Sequence, residues 1–317
     1  VQQPLYSTLP NAEEMKLIPG CKNIKIASRT NQRIIMLNKG ADDKGFMVCK
    51  DCGAAMPGDD IAVLKNIERP YKLRFAKSKC RHANTFNVNL GYDFITDMLV
   101  LEFTIDDKVI DVRRKDNPWL SRAAQSLAEA LRLVASKKLD VEFTELVTGY
   151  RLRTGSEASY IDIYLYDSLS SGAGYAVSVA DSITDLLADV REMLSACDCG
   201  AACSKCLKHY RNQFVHGKLD RFAALQLLKL GVDGKKASPL NVATQIKMIM
   251  PLVNILKESG CDITFDEAII ASGRRTKKIV VYPAMWVEPK DIDTIFVSDA
   301  YIKYAKPYAV QKILDNI

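Results

Sequence analysis

Four of the chain's nine cysteines lie within ten residues, Cys197-Asp-Cys-Gly-Ala-Ala-Cys-Ser-Lys-Cys206, with the spacing C-x-C-x3-C-x2-C. Thiolates this close in sequence can converge on one ion, and Gly200, Ala201 and Ala202 leave the backbone room to wrap it. Four sulfurs at about 2.3 Å suit a closed, tetrahedral, structural Zn2+ with no position open to a substrate. An iron–sulfur cluster and a set of unbound core thiols are the alternatives that spacing leaves open. Secreted disulfide pairing fits poorly. The cysteine count is odd, and the first residues, Val1-Gln-Gln-Pro-Leu-Tyr-Ser, hold neither a basic stretch nor an apolar one. They also lack Met, as a piece of a longer protein would, and the expected location is the cytoplasm.

A second group reads Cys49-Lys-Asp-Cys52-Gly53, followed after a basic stretch by Cys80-Arg-His82. The C-x2-C-G turn brings two thiolates together, and the glycine accepts a left-handed backbone that other residues resist. Two more donors are needed, and Cys80 with His82 are the nearby candidates. A second zinc site of Cys49, Cys52, Cys80 and His82 is therefore expected beside a plainer alternative, a reduced and partly buried cysteine set. Cys21 and Cys261 stand alone and read as ordinary buried residues.

Charge gathers near both groups. Between Lys65 and His82 lie seven basic residues (Lys65, Arg69, Lys72, Arg74, Lys77, Lys79, Arg81) against the single acid Glu68, an excess equal to the +6 of the whole chain. A second concentration comprises Lys205, Lys208, Arg211, Lys218 and Arg221, and a third comprises Arg274, Arg275, Lys277 and Lys278. Charge runs are commonly solvated surface. Two of these three abut cysteine groups, and that coincidence favours a surface for a polyanion. Tyr71, Phe75, Tyr210 and Phe214 are interleaved with the cations and offer stacking faces for nucleobases.

A chain of 317 residues with 48% hydrophobic and 26% charged residues is long enough for two or three folded units, and no eighteen-residue apolar run marks a membrane span. Short β-branched segments at 24–26, 33–37 and 45–48 and the run 94–103 read as strands. Asn117-Pro118 opens a helix whose Leu120, Ala124, Leu127, Leu131 and Val134 recur at helical spacing. Strands are expected at 141–148 and 160–166, then a Gly/Ser-rich turn, Asp167 to Tyr175, that could cradle an anion at a helix start. A helix through 186–194 leads into the four cysteines, and another over 219–228 closes at Gly231. Residues 231–239 read as a linker. Beyond them lie a helix to Gly260 kinked at Pro251, strands around 278–282 and 295–297, and a terminal helix. The expected class is α+β: mixed sheets with packed helices organised around one or two structural zinc sites, plus a small C-terminal α/β subdomain. The expected divisions are a strand-rich region with the C-x2-C knuckle (1–116), an α/β zinc-binding domain (117–232) and the C-terminal subdomain (233–317).

Several phrases together resemble a known family: Cys49-x-x-Cys52-Gly53, Leu90-Gly-Tyr-Asp-Phe-Ile-Thr-Asp97, Tyr166-Asp-Ser-Leu-Ser-Ser-Gly-Ala-Gly-Tyr175, and Cys203-Ser-Lys-Cys-Leu-Lys-His-Tyr-Arg-Asn-Gln213 with His216 and Leu219-Asp-Arg221. They are similar to the zinc-binding, MrfA-type domain at the C-terminal end of DEAD/DEAH-box helicases. A similar domain forms the B component of the DISARM antiphage system. The resemblance covers about residues 24 to 230. It implies a four-cysteine zinc site at Cys197, Cys199, Cys203 and Cys206 in a module serving a DNA helicase or translocase. The pair Cys197-Asp-Cys199 is closer than the family's C-x2-C.

The expected function is a non-catalytic, nucleic-acid-handling domain in genome defence or DNA repair, with DNA (single-stranded or a duplex junction) and a helicase core as partners and no membrane. Its expected DNA contacts are Lys72, Arg74, Lys77, Lys79, Arg81, Lys205, Lys208, Arg211, Lys218 and Arg221. A scaffold docked on the helicase core without touching DNA is the alternative. A nuclease is a third reading, resting on His216-Gly-Lys218 and on Asp93, Asp97 and Asp167 as Mg2+ ligands. No G-x4-G-K-[ST] loop occurs in the chain, and His209, Asn212, His216 and Arg221 are expected either to brace the cluster or to contact phosphates.

Overall fold

In the computed structural model, the described residues are 6–7, 14–40, 42, 44–66, 80–110, 112, 117–155 and 158–317. In chain order the first elements are β1 (Tyr6–Ser7), β2 (Lys16–Leu17), β3 (Ile24–Asn38), β4 (Phe46–Cys49), β5 (Ala55–Pro57), α1 (Ile61–Lys65), β6 (Thr85–Val88) and β7 (Leu90–Ile105). There follow α2 (Pro118–Lys138), β8 (Leu146–Thr154), β9 (Ser159–Asp167), α3 (Tyr175–Asp181), α4 (Ile183–Ala196) and α5 (Arg221–Asp233). The last stretch holds α6 (Val242–Ile249), α7 (Val253–Glu258), β10 (Asp262–Phe265), β11 (Ile269–Ser272), β12 (Thr276–Tyr282), β13 (Thr294–Ser298), α8 (Asp299–Tyr304) and α9 (Lys306–Leu314).

The central sheet runs β1-β3-β7-β9-β8, with β2 also on β3, and all its pairings are antiparallel. Strands alternate faces, so the odd-numbered residues of β7 and β9 point one way. Leu99, Leu101, Phe103, Ile161, Ile163 and Leu165 are all buried there under α2, α4 and α5. Asn117 caps α2 by accepting from the Trp119 amide, Pro118 occupies the first turn, and the spaced apolar residues read from the sequence all lie in this core. The sheet joins strands from both sides of residue 116: β3 and β7 pair with each other, and β7 pairs with β9. Ile24 of β3 and Leu99, Leu101, Phe103 and Ile105 of β7 therefore share one core with α2, α4 and α5, across the boundary that the sequence suggested at residue 116. Long-range strand pairing is invisible to local patterning.

The opposite face of the sheet carries charge. Glu102 and Asp162 lie directly opposite each other in the register, both buried, and Arg153 of β8 bonds to both. The guanidinium pairs with both carboxylates, and Lys25 approaches Glu102 at 3.9 Å.

Two strands expected at 24–26 and 33–37 are one, β3, interrupted by a bulge between Arg29 and Gln32 where Asn31 takes φ +56°. Past the bulge β3 and β7 continue as a ribbon, joined at its base by β1 on Ile34 and Ile35 and packed there against Met98, Tyr164 and Tyr166. At its end β5-β4-β6 form a separate small sheet carrying the first cysteine group.

The expected strand at 141–148 begins later, at Leu146, because Phe143 turns inward in a short 3-10 turn and stacks on His209 at 4.2 Å. Helix α5 runs through Gly231 to Gly234, which ends it at φ +68°. Gly231 lies inside the helix because Ile24 and Phe103 leave no room for a Cβ. Pro251 breaks the expected long helix into α6 and α7 around a 3-10 turn. Strands β10 to β13 form a second sheet, parallel only at β12–β13, with its own core including Ile263, Ile279, Val297 and Ile313.

Candidate metal centres and the surface around them

Helix α4 delivers Cys197 at its C-terminal cap, and the next nine residues fold back so that Cys197, Cys199, Cys203 and Cys206 converge with every sulfur within 4.8 Å of the others. The edges measured are 3.5 Å for Cys197–Cys203, 3.7 Å for Cys199–Cys206 and 3.9 Å for Cys203–Cys206. A zinc tetrahedron with bonds of about 2.3 Å has sulfur–sulfur edges of roughly 3.8 Å, so the donor set fits Zn2+. Without a cation the thiols pull one another's acidities apart. Hydrogen bonding from the Lys205 amide and then from Cys197 draws Cys203 down to about 7, while burial pushes Cys206 up to about 12. A divalent ion removes that conflict by favouring every thiolate at once.

The second group closes in the same way. Cys49 and Cys80 sulfurs are 3.7 Å apart, Cys52 sulfur is 3.4 Å from His82 Nδ1, and the four donors also lie within 4.8 Å of one another. Gly53 takes φ +77°, as the knuckle requires, and His82 takes φ +49°, which turns its ring inward to 5% exposure. Burial raises the Cys49 thiol, but hydrogen bonding from His82 and the Cys52 and Asp51 amides outweighs it and brings the group to about 7. Burial raises Cys52 to about 11. Three sulfurs and one imidazole nitrogen form a closed structural zinc set. Cys21 and Cys261 are buried and lie in neither cluster.

Side chains from outside the ten-residue segment hold the first cluster. Arg221, 8% exposed, donates from Nε to the Cys199 carbonyl and from Nη1 to the Leu194 carbonyl. Asn212, 1% exposed, donates to the Leu207 carbonyl and to Glu129, and it accepts from the His209 amide. His216 Nε2 sits 2.9 Å from Asn212 Oδ1 and 3.1 Å from the His209 carbonyl. Arg221 and Asn212 reach the loop and its flanks directly, while His209 and His216 bond to Asn212 and act on the loop through it. Sequence reading missed Glu129, which shares the α2 stripe with apolar neighbours and is buried beneath Asn212. Burial raises its carboxyl above the ordinary value, with Asn212 and Arg132 opposing.

The expected DNA contacts fall into three sets. Lys72, Arg74, Lys77 and Lys79, with Tyr71 and Phe75, lie outside the described residues. Arg81, Lys205, Arg211 and Lys218 are exposed and Lys208 is half-buried. Arg221 is turned inward onto the cluster, so its guanidinium is committed to backbone carbonyls rather than to a ligand. Tyr210 and Phe214, 74% and 58% exposed, project from the 3-10 segment Tyr210–Lys218 among those cations.

The groups behind the nuclease reading are engaged elsewhere. Asp93 pairs with Arg33 on the ribbon. The Asp167 carboxylate accepts from the amides of Ala173, Tyr175 and Ala176, and Asp97 accepts from those of Gly174 and Asn31. The Gly-rich turn is thus an anion cradle whose anions are the chain's own carboxylates.

An α+β framework with a closed four-thiolate centre at the end of a helix defines a zinc-binding domain of structural type. Residues 127–207, which include all four cysteines of that centre, match the MrfA Zn-binding domain family. Druantia protein DruE of Escherichia coli (strain UMEA 4076-1) is 31% identical over 294 residues. That alignment takes in 84% of this chain and 16% of the relative, so the chain spans a small part of the relative's length. Among solved structures, the crystal structure of DUF1998 helicase MrfA bound to DNA aligns with 68% of this chain and 23% of its own, at 14% identity and TM-score 0.40. The resemblance read from the sequence motifs holds, and zinc is the cofactor it brings. Among the described residues no helix is long and apolar enough to cross a membrane.

Proposed function

We propose that this chain is a non-catalytic, zinc-braced module that handles DNA for a superfamily-2 helicase or translocase, within the same protein or as its partner, in genome defence or DNA repair. One observation carries the reading. The four-cysteine centre rigidifies a loop whose outward side presents Tyr210, Phe214, Lys205, Arg211 and Lys218, while its inward side is consumed by Arg221 and Asn212. A preorganised loop contacts phosphates and bases with little ordering cost. Exposed aromatics among cations are the combination that grips single strands without regard to sequence. The match to the MrfA Zn-binding domain and the likeness to Druantia protein DruE support a helicase-associated setting.

A salt titration of single-stranded DNA binding tests it. Affinity should fall linearly in logarithmic terms as salt rises, and Lys205→Ala with Arg211→Ala should flatten the slope by roughly 0.7 for each phosphate no longer neutralised. Phe214→Ala and Tyr210→Ala should each weaken binding by about 1–3 kcal/mol at constant slope. Binding that ignores salt, or that survives all four changes, would favour a scaffold on the helicase core.

A further inference from the structure

The ribbon that carries the Cys49–His82 centre leaves the body at one place. On β3 that place is the bulge at Asn31, and on β7 it is Ile95 to Asp97. Near its base β1 pairs with Ile34 and Ile35, and Ile34, Met36 and Phe94 pack against Met98, Val100, Tyr164 and Tyr166, but a bulge is still where a strand bends, and the apolar contact alone leaves the angle open. Here its base is tied down. Asp97, 6% exposed, accepts from the Asn31 amide at 3.2 Å with one oxygen and from the Gly174 amide at 3.0 Å with the other. Beside it, the buried Thr96 hydroxyl reaches the carbonyls of Asp167 (2.9 Å) and Leu169 (2.8 Å), and the Ser171 amide donates to the Ile95 carbonyl at 2.6 Å. Gly172 has φ +76°, and a Cβ there would collide with the Asp97 carboxylate. The turn so gripped opens directly into α3 and α4, and α4 ends at Cys197.

We propose that Asp97 is the positioning residue of a latch that fixes the angle of the ribbon, and with it the place of the second zinc centre relative to the first. One carboxylate spans the two moving parts, the bulge of β3 and the turn that leads to the four-cysteine helix. The latch is independent of whether the surface binds nucleic acid.

Hydrogen exchange on the full zinc-loaded chain tests it, with Asp97→Ala, Asp97→Asn and Gly172→Ala. The expected result for Asp97→Ala and Gly172→Ala is selective. Zinc content and helical signal stay at the wild-type level, and amides of residues 32–38 and 90–96 exchange on the order of tenfold faster, while 98–103 keep their protection. Asp97→Asn retains one acceptor oxygen and should fall between. Unchanged ribbon exchange in either folded variant overturns the latch, and so does equal loosening of ribbon and body. If Asp97→Ala does not fold, the same two outcomes for Gly172→Ala decide.

Discussion

The two metal centres share a donor geometry but differ in what surrounds them. The four-cysteine loop is stapled to the main core: Cys206 and Leu207 are buried in it, and Arg221 and Asn212 reach the loop from other segments. The Cys49–His82 centre is instead the core of its own small sheet, where the buried apolar residues among those described are Cys49, Ala54 and Leu64. Backbone bonds such as Cys49 amide to Ala54 carbonyl and Lys50 amide to Asn84 carbonyl stay within that small sheet. One metal therefore stiffens a loop on a framework that stands without it, and the other makes a framework where packing alone is too small.

Chelation should separate the two most widely. Structural zinc supplies about 10–16 kcal/mol of apparent binding energy in small domains, far more than three buried residues can. Removing metal should abolish exchange protection in residues 46–66 and 80–88, while α2 and strands 99–105 keep theirs and only the loop 197–209 opens. Loss of the body together with the tip would break the comparison.

Within the body, Arg153→Met should cost about 3–5 kcal/mol, because it leaves buried Asp162 without its guanidinium and Glu102 with Lys25 alone. Denaturant midpoint with unchanged zinc content checks it. Asn212→Ala is milder, about 1–3 kcal/mol from orphaned Glu129 and the Leu207 carbonyl. That loss should appear at the first centre's loop and leave exchange at the second untouched.

The smallest effect is a pH dependence. Burial raises the Glu129 carboxyl above its ordinary 4.5, so the stability tied to its protonated form is complete below that value and fades as pH rises through the folded value. Glu129→Gln should flatten this decline between acid and neutral pH, read from melting temperature across that range. A parallel curve would show that Glu129 titrates alike in the folded and unfolded chain, and a steeper decline in the variant would show that its charged form is the one the fold favours.

Both centres were legible because metal ligation writes itself as short spacings of one residue type. Asn117-Pro118 and the α2 stripe were legible because capping and periodicity are local. The bulge at Asn31 read as a turn, since a left-handed Asn signals either, and only pairing with β7 decides. Arg221 read both as a brace of the cluster and as a DNA contact, because nothing local tells that its guanidinium ends on the Cys199 and Leu194 carbonyls. Asp167 and Asp97 read as possible metal ligands for a similar reason: their partners are backbone amides, which every residue but proline has and no sequence pattern marks.

X-ray absorption at the zinc edge, on chain of known concentration, bears most directly on the central claim. Seven cysteine sulfurs and one histidine nitrogen form two closed donor sets. The spectrum should therefore give two zinc per chain, with a shell dominated by sulfur at about 2.3 Å and a minor nitrogen component. A well-folded sample without zinc, or with a shell of oxygen, would contradict it.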